Sequence, residues 1–221
     1  MGKVIIQEHT TKNPISLIGE EAGVCYGANT SDPVRNYKRG KDCIESNHGR
    51  TLEFPSVYMV LDGYSARVIR ELYTHIGGAP TRLQASTRYI NYQKGFDYII
   101  PESIANNPAA ADAYEIGMEI ILQQLQQLQE LGIPKEDSAN LLPLGMTTKV
   151  VVKYNPRTLI DMSHQRECNR AYWEFREMFE DIKQALCDYS EEWKELVESQ
   201  FMPKCRYLGH CPEVNACVTT G

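Results

Sequence analysis

Two arginines, Arg82 and Arg88, stand in a short segment that also carries Thr81, Ser86 and Thr87. Guanidinium groups bind phosphate in a planar, two-pronged way, and hydroxyls complete such a site. The surrounding stretch, Thr74 to Tyr92, reads T-H-I-G-G-A-P-T-R-L-Q-A-S-T-R-Y-I-N-Y. Gly77-Gly78 followed by Pro80 breaks regular structure, and no apolar face repeats through the segment. It is expected to open as a loop with backbone N–H groups free to meet an anion. Taken alone, the arginine pair fits a solvated surface at least as well.

A second group lies between Asn155 and Phe175, with Arg157, Asp161, His164 and Arg166 on one short helical stretch. Arg157 and Asp161 are four apart and are expected to share a face, as an ion pair. A third group, His48 to Glu53, pairs an imidazole with a carboxylate near a turn, a spacing open to acid–base work or to plain solvation. The chain has no G-x-S-x-G, no phosphate-binding P-loop and no dinucleotide glycine fingerprint. Hydrolase, kinase and ordinary dinucleotide folds lose weight accordingly.

The elements that must position these groups follow from pattern. The 221 residues are 42% hydrophobic with a formal net charge of -6. A real core is affordable, and non-specific nucleic-acid binding, which needs a basic surface, is not expected. No apolar run reaches membrane-spanning length. The opening Met1-Gly2-Lys3-Val4 does not read as a signal peptide, and a cytoplasmic location is expected. Seven cysteines then default to free thiols. Cys205, Cys211 and Cys217 sit six apart with His210 beside the second, wider than the gaps zinc sites use. No metal is expected.

Residues 3 to 8 read as a strand, and Asn13-Pro14 opens a helix. Residues 27 to 42 read as a surface loop or short helix. Val57, Met59 and Leu61 alternate with Tyr58, Val60 and Asp62, a strand that Gly63 is expected to end. Ser65 caps a helix through Tyr73. Asp112 is expected to cap the longest helix, 113 to 131. Its stripe of Met118, Ile121, Leu122, Leu125, Leu128 and Leu131 suits a core face or an oligomer contact. Thr147 to Tyr154 is strand-like, Thr158 begins a helix into Gln165, another starts near Asn169, and Ser190 caps a final helix, 191 to 200. Few strands among many helices give an α+β class, a single domain over 1–221 with a small, mostly antiparallel sheet flanked by helices.

In this order and spacing the groups resemble the flavin-dependent thymidylate synthases, over most of the chain. Ala22 to Gly27 is similar to that family's A-x-x-C-Y-G. His48 to Glu53, with Gly63-x-Ser65-x-Arg67, resembles its G-H-x-S-x-L-E-H…G-x-S-R-A segment. Ser86-Thr87-Arg88-Tyr89 resembles its S-x-R-Y ending. Asn155-x-Arg157-x-Leu159…Arg166…Trp173-Glu174 resembles its N-A-R-x-L…L-R…W-E element, and Gly209 to Glu213 its G-Y-C-P-E tail.

The resemblance implies conversion of dUMP to dTMP. Methylenetetrahydrofolate would donate the carbon, and FAD reduced by NADPH the hydride, in a homotetramer whose subunits share sites. It implies that Ser86 and Arg88 hold the dUMP phosphate, with Gln84 and Arg82 beside it. Arg166 would steady charge on the uracil. Thr51, His75, Gln84, Asn155, Arg157 and Asp161 would meet the flavin. Counted back from Arg88 without a gap, the family's R-H-R triplet falls on Ile76-Gly77-Gly78; with two residues absorbed in the glycine turn it falls on Thr74-His75-Ile76. Neither register restores an arginine, and Arg82 and Arg70 are candidate replacements. Two other readings stand beside this one. Gln84 cannot act as the acid or base a glutamate could, which leaves room for hydroxymethyl transfer to a pyrimidine nucleotide. A non-catalytic nucleotide-binding homologue would keep the fold alone.

Overall fold

A computed structural model describes residues 2–217. In chain order the elements are β1 Lys3–Ile6, α1 Pro14–Cys25, α2 Pro33–Glu45, β2 Val57–Ser65, α3 Ala66–Leu72, β3 Thr81–Gln84, α4 Glu102–Ala105 and α5 Pro108–Glu130. Then come α6 Lys135–Ser138, β4 Thr147–Tyr154, α7 Pro156–Arg166, α8 Trp173–Tyr189, α9 Glu191–Gln200 and α10 Lys204–Leu208. The four strands form one antiparallel sheet in the order β1-β2-β4-β3. The α+β class expected from the residue pattern is what is observed.

The residues fall into two compact units. Among the described residues, one holds 2–3, Leu61–Tyr73 and Leu83–Val150; the other holds Val4–Val60, Thr74–Arg82 and 151–217. In the second unit the fully buried side chains include the large apolar Ile15, Ile18, Leu159, Met162, Phe175, Phe179 and Trp193. Trp193 is sealed in without an unpaired donor, because its indole N–H reaches the Thr11 carbonyl at 2.8 Å. The first unit buries Leu61, Val68, Ile69, Leu72, Met118 and Leu125.

β2 alternates as expected, with Val57, Met59 and Leu61 fully buried, and the strand expected over 147–154 alternates too, with Val150 and Val152 buried in β4. Gly63 does not end β2. It takes φ +82° inside the strand, lying over the Gly2 backbone, and β2 continues to Ser65. Only glycine adopts that φ without strain, so the residue that looked like a stop is a kink. Ser65 then caps α3, accepting from the Val68 N–H at 3.1 Å.

Helix α2 is longer than its composition suggested. Asp32 caps it through the N–H groups of Val34 and Arg35, with Pro33 in the first turn. Its buried positions are Asn36, Gly40, Cys43 and Ile44, an i, i+4, i+7, i+8 face made largely of residues that do not read as apolar. Gly40 and Gly19 make the α1–α2 packing possible. A Cβ on Gly40 would fall 1.9 Å from the Ile15 carbonyl oxygen, and one on Gly19 would fall 1.8 Å from that of Asn36.

Helix α5 is capped by Asn107, not Asp112. Asn107 accepts from the Ala110 N–H at 3.3 Å and Pro108 opens the first turn. Of its apolar stripe only Met118 and Leu125 are buried, and Leu131 is exposed. The helix expected near Asn169 begins at Trp173, α10 follows the helix expected to be last, and a short strand, β3, lies inside the segment expected to be a loop.

Gly40→Ala is expected to destabilise the protein by about 2 kcal/mol or more, the scale of overpacking against fixed backbone. Gly117→Ala, in α5 with nothing within 4 Å of the added methyl, is expected to stabilise it by about 0.5–1 kcal/mol. Urea midpoints at constant slope measure both, and a Gly40 variant as stable as the parent refutes the close-approach argument.

Candidate functional site

The site in the second unit is built on the start of α7. Asn155 is its N-cap, and its Oδ1 accepts from the Thr158 N–H at 2.9 Å, with Pro156 in the first turn. Thr158 Oγ1 lies 2.8 Å from the Gly77 carbonyl oxygen and 2.9 Å from Asn155 Oδ1, and its single proton serves one of these acceptors. This hydroxyl ties the glycine turn to the helix. Gly78 sits at φ +70°, and a Cβ there would lie 2.3 Å from Thr158 Oγ1. Both its backbone angle and its surroundings therefore demand glycine.

The turn presents His75 to the other end of α7. Arg166 Nε donates to His75 Nε2 at 2.8 Å, and its Nη2 donates to Thr74 Oγ1 at 3.4 Å. The guanidinium lies over the Phe175 ring, 4.5 Å from its centroid, and the His75 ring packs on the same phenyl at 5.7 Å. Arg82 Nη1 donates to the His75 carbonyl oxygen at 3.3 Å. Burial, then the positive charges of Arg166 and Arg82, lower the His75 pKa to about 4. A neutral imidazole that accepts at Nε2 carries its proton on Nδ1.

Beside this cluster is a cavity of about 400 Å³, walled by Thr74, His75, Gly77, Thr158, Asp161 and Gln165 among others. Asp161 is exposed and on this wall. The expected Arg157–Asp161 pair is not formed. Arg157 Nη1 instead meets Glu53 Oε1 at 2.6 Å, and the other Glu53 oxygen faces Arg50 at 3.6 Å. Tertiary reach to a carboxylate 104 residues away replaces the helical pair, because that partner is half-covered while Asp161 faces solvent. Glu53 is thereby committed to two arginines and does not pair with His48. Thr51 donates to the His48 carbonyl at 2.7 Å, closing the turn.

The first unit holds the other nominated residues. Gln84 Nε2 is 3.4 Å from Thr148 Oγ1, and β3 continues into the Ala85 N–H to Lys149 carbonyl bond at 2.8 Å. Ser86 Oγ accepts from the Arg88 N–H at 3.3 Å. The Arg88 side chain extends to Glu136, with Nε 2.8 Å from Oε2, and lies near the Tyr89 ring. Ser86 and Arg88 thus belong together, while His75, Arg82, Asn155, Arg157, Asp161, Arg166 and Thr51 belong to the second unit. Thr158, Phe175 and Thr74 were not picked out from sequence. The threonine two residues past Pro156 and the paired glycines were the available signals. The cysteines at 205, 211 and 217 are free, and the described residues contain no group of three or more metal-ligating side chains placed to hold an ion.

The sequence profile described as "Thymidylate synthase complementing protein" matches residues 6–189. A flavin-dependent thymidylate synthase of Nitratidesulfovibrio vulgaris is 29% identical over 226 aligned residues, covering 92% of this chain and 88% of that protein. One from Pyrococcus horikoshii is 31% identical, covering 77% of this chain and 70% of that protein. Among solved structures, a UMP/dUMP methylase from Streptomyces cacaoi bound with 5-Br dUMP aligns with a TM-score of 0.73 at 14% identity, covering 91% of this chain and 96% of that chain. The thymidylate synthase of Helicobacter pylori with FAD and dUMP aligns at 0.66 and 18% identity, over 90% of this chain and all of that one. These two likenesses are of fold. With the profile spanning most of the sequence, the chain belongs to the family of flavin-dependent thymidylate synthases.

Proposed function

We propose that this chain is a flavin-dependent thymidylate synthase. It would convert dUMP to dTMP with methylenetetrahydrofolate as carbon donor and NADPH as reductant, using FAD, as a cytoplasmic homotetramer. We read it as one domain, since the family profile draws on residues from both units. No helix among the described residues is long and apolar enough to cross a membrane.

The observation that carries the reading is Arg166, fixed by His75, Thr74 and Phe175, of which His75 and Thr74 wall a polar cavity. A cation held in this way can stabilise negative charge developing on a pyrimidine ring without reorganising during the reaction. His75 is a neutral acceptor, so it orients the fork and adds no negative charge that would blunt it.

The residues present fit a flavin. The cavity wall offers the Thr74 hydroxyl, the His75 imidazole, the Gln165 amide and the Lys204 ammonium beside the Asp161 carboxylate, a mixed polar set suited to a ring-bearing ligand that carries both donors and acceptors. The Gly78 turn also brings backbone close to the helix start, where a side chain would not fit. His75, Asp161, Asn155 and Arg157, with Thr51, are the residues of the second unit that would hold FAD, and Gln84 is a further flavin contact implied by the family resemblance. Bound there, FAD supplies the hydride that completes the methyl group. Ser86 and Arg88 would bind the dUMP phosphate, with Gln84 and Arg82 as further nucleotide contacts. Arg88 would exchange its exposed Glu136 partner for the ligand.

Purified protein loaded with FAD should bleach with NADPH and form dTMP from dUMP and methylenetetrahydrofolate. A product carrying hydroxymethyl, or dUMP binding with no turnover, would refute this reading. Arg166→Ala is expected to lower kcat by about 10²–10³, the usual cost of one preorganised charge-stabilising group. Arg88→Gln is expected to raise KM for dUMP about 10- to 100-fold, through loss of a charge-assisted contact, with kcat little changed; an unchanged KM removes Arg88 from the phosphate site.

His75 also gives a pH dependence. The unfolded imidazole gains its proton near 6.5, and the folded one near 4. Between these values the unfolded state binds more protons, so stability falls as pH drops from 6.5 towards 4 and is unaffected above. His75→Gln should shrink the difference in unfolding free energy between pH 7 and pH 5. Urea titrations at the two pH values check this, and equal differences in the two proteins contradict it.

A further inference from the structure

Four of the seven cysteines, Cys168, Cys205, Cys211 and Cys217, line one cavity of about 500 Å³ in the second unit. All four are free and partly exposed. They are not arranged to hold a metal ion, since no metal-ligating group of three occurs among the described residues. The same wall carries three cationic side chains, Arg166, Arg170 and Lys204, against a single carboxylate, Glu213. That carboxylate is engaged with Arg170, at 3.3 Å. Lys204 immediately precedes Cys205 in α10. The remaining thiols differ: burial pushes Cys43 and Cys187 up, away from the reactive thiolate form, and Cys25 is exposed and outside this cavity.

We propose that this cavity is a thiol-exchange site for acidic low-molecular-weight disulfides, with Cys205 as the attacking thiol. Small thiols gathered in a concave pocket make a poor metal site here but a good exchange site. A disulfide that carries carboxylates is drawn to the wall's cations, so its sulfur is presented to Cys205 at a raised local concentration. The step is balanced. The Cys205 thiolate attacks one sulfur of the small disulfide, a protein–ligand S–S bond forms as the original S–S bond breaks, and the other half leaves as a thiolate. That thiolate takes up the proton that Cys205 released. The small disulfide is the oxidant, and a free small thiol reverses the reaction. The adduct places carboxylates beside Arg166. Resting on the thymidylate synthase reading, exchange would therefore slow turnover under oxidising conditions and release it under reducing ones.

The test is a charge-matched comparison on the full chain. Protein is incubated with oxidised glutathione, which is acidic, or with cystamine, which is basic, and the adducts are mapped by peptide mass. Oxidised glutathione is expected to modify Cys205 at least tenfold faster than the exposed Cys25. Cystamine should reverse the order, and 0.5 M salt should erase the preference for Cys205. Cys205→Ser should abolish the glutathione adduct in the cavity. Faster labelling of Cys25 by oxidised glutathione, or equal labelling of Cys205 by both probes, overturns the proposal. An adduct that persists in the cavity of Cys205→Ser overturns Cys205 as the attacking thiol. These readouts need no catalysis, so they stand even if the protein makes no dTMP. In active protein, glutathione-treated parent should lose turnover while treated Cys205→Ser keeps it.

Discussion

The hydrogen bond from Arg166 Nε to His75 Nε2 is the contact on which the second unit's site depends. It joins the last residue of α7 to a turn 91 residues earlier, and it works only while the imidazole is neutral. The surroundings enforce that state. Burial and two nearby arginines hold the pKa near 4, so at neutral pH His75 accepts rather than repels. The phenyl ring of Phe175 completes the arrangement by covering both the guanidinium and the imidazole. One apolar face thus removes water from a contact that water would weaken.

The other end of α7 makes the turn a fixed object. Asn155 satisfies the helix N-terminus, and Thr158 reaches from that first turn to the Gly77 carbonyl. Gly78 lets the two backbones approach. The single helix therefore anchors the turn at its N-terminus and receives the turn's histidine at its C-terminus. In this chain the side chain of Arg82 reaches the carbonyl oxygen of His75. A cation is thus supplied to this neighbourhood from β3, seven residues after His75.

How much of this was legible depended on whether the signal was local. Ser65 and Ser190 read as caps because capping is a matter of one side chain and its next three residues, whereas Asn155 read only as a break before a helix expected from Thr158. The alternation in β2 read correctly for the same reason, and β4 read as a strand from its β-branched run. The errors were tertiary. Helix α2 hides its buried face behind Gly40, Asn36 and Cys43, whose burial is decided by the approach of α1. Gly63 looked like a terminator because a glycine's role is invisible until its φ is known. The Arg157–Asp161 pair gave way to Glu53, a partner that no helical spacing announces. In the site, Arg166 and His75 were named from family likeness, but their direct contact and the part of Phe175 required the fold.

The Arg88–Glu136 pair bears on whether a phosphate role for Arg88 is reasonable. Both side chains are more than half exposed, at 65% and 54%, and exposed pairs contribute under about 1 kcal/mol. A nucleotide phosphate carries more charge than a carboxylate and offers more acceptor oxygens. It can therefore displace Glu136 at small cost, and the pair does not oppose the role. Arg166 is the opposite case. It donates to a half-buried His75 and lies over the fully buried Phe175 ring, so its geometry is set before any ligand arrives. The two arginines are thus suited to different work: an exposed one that can change partners to capture charge, and a fixed one that meets charge as it develops.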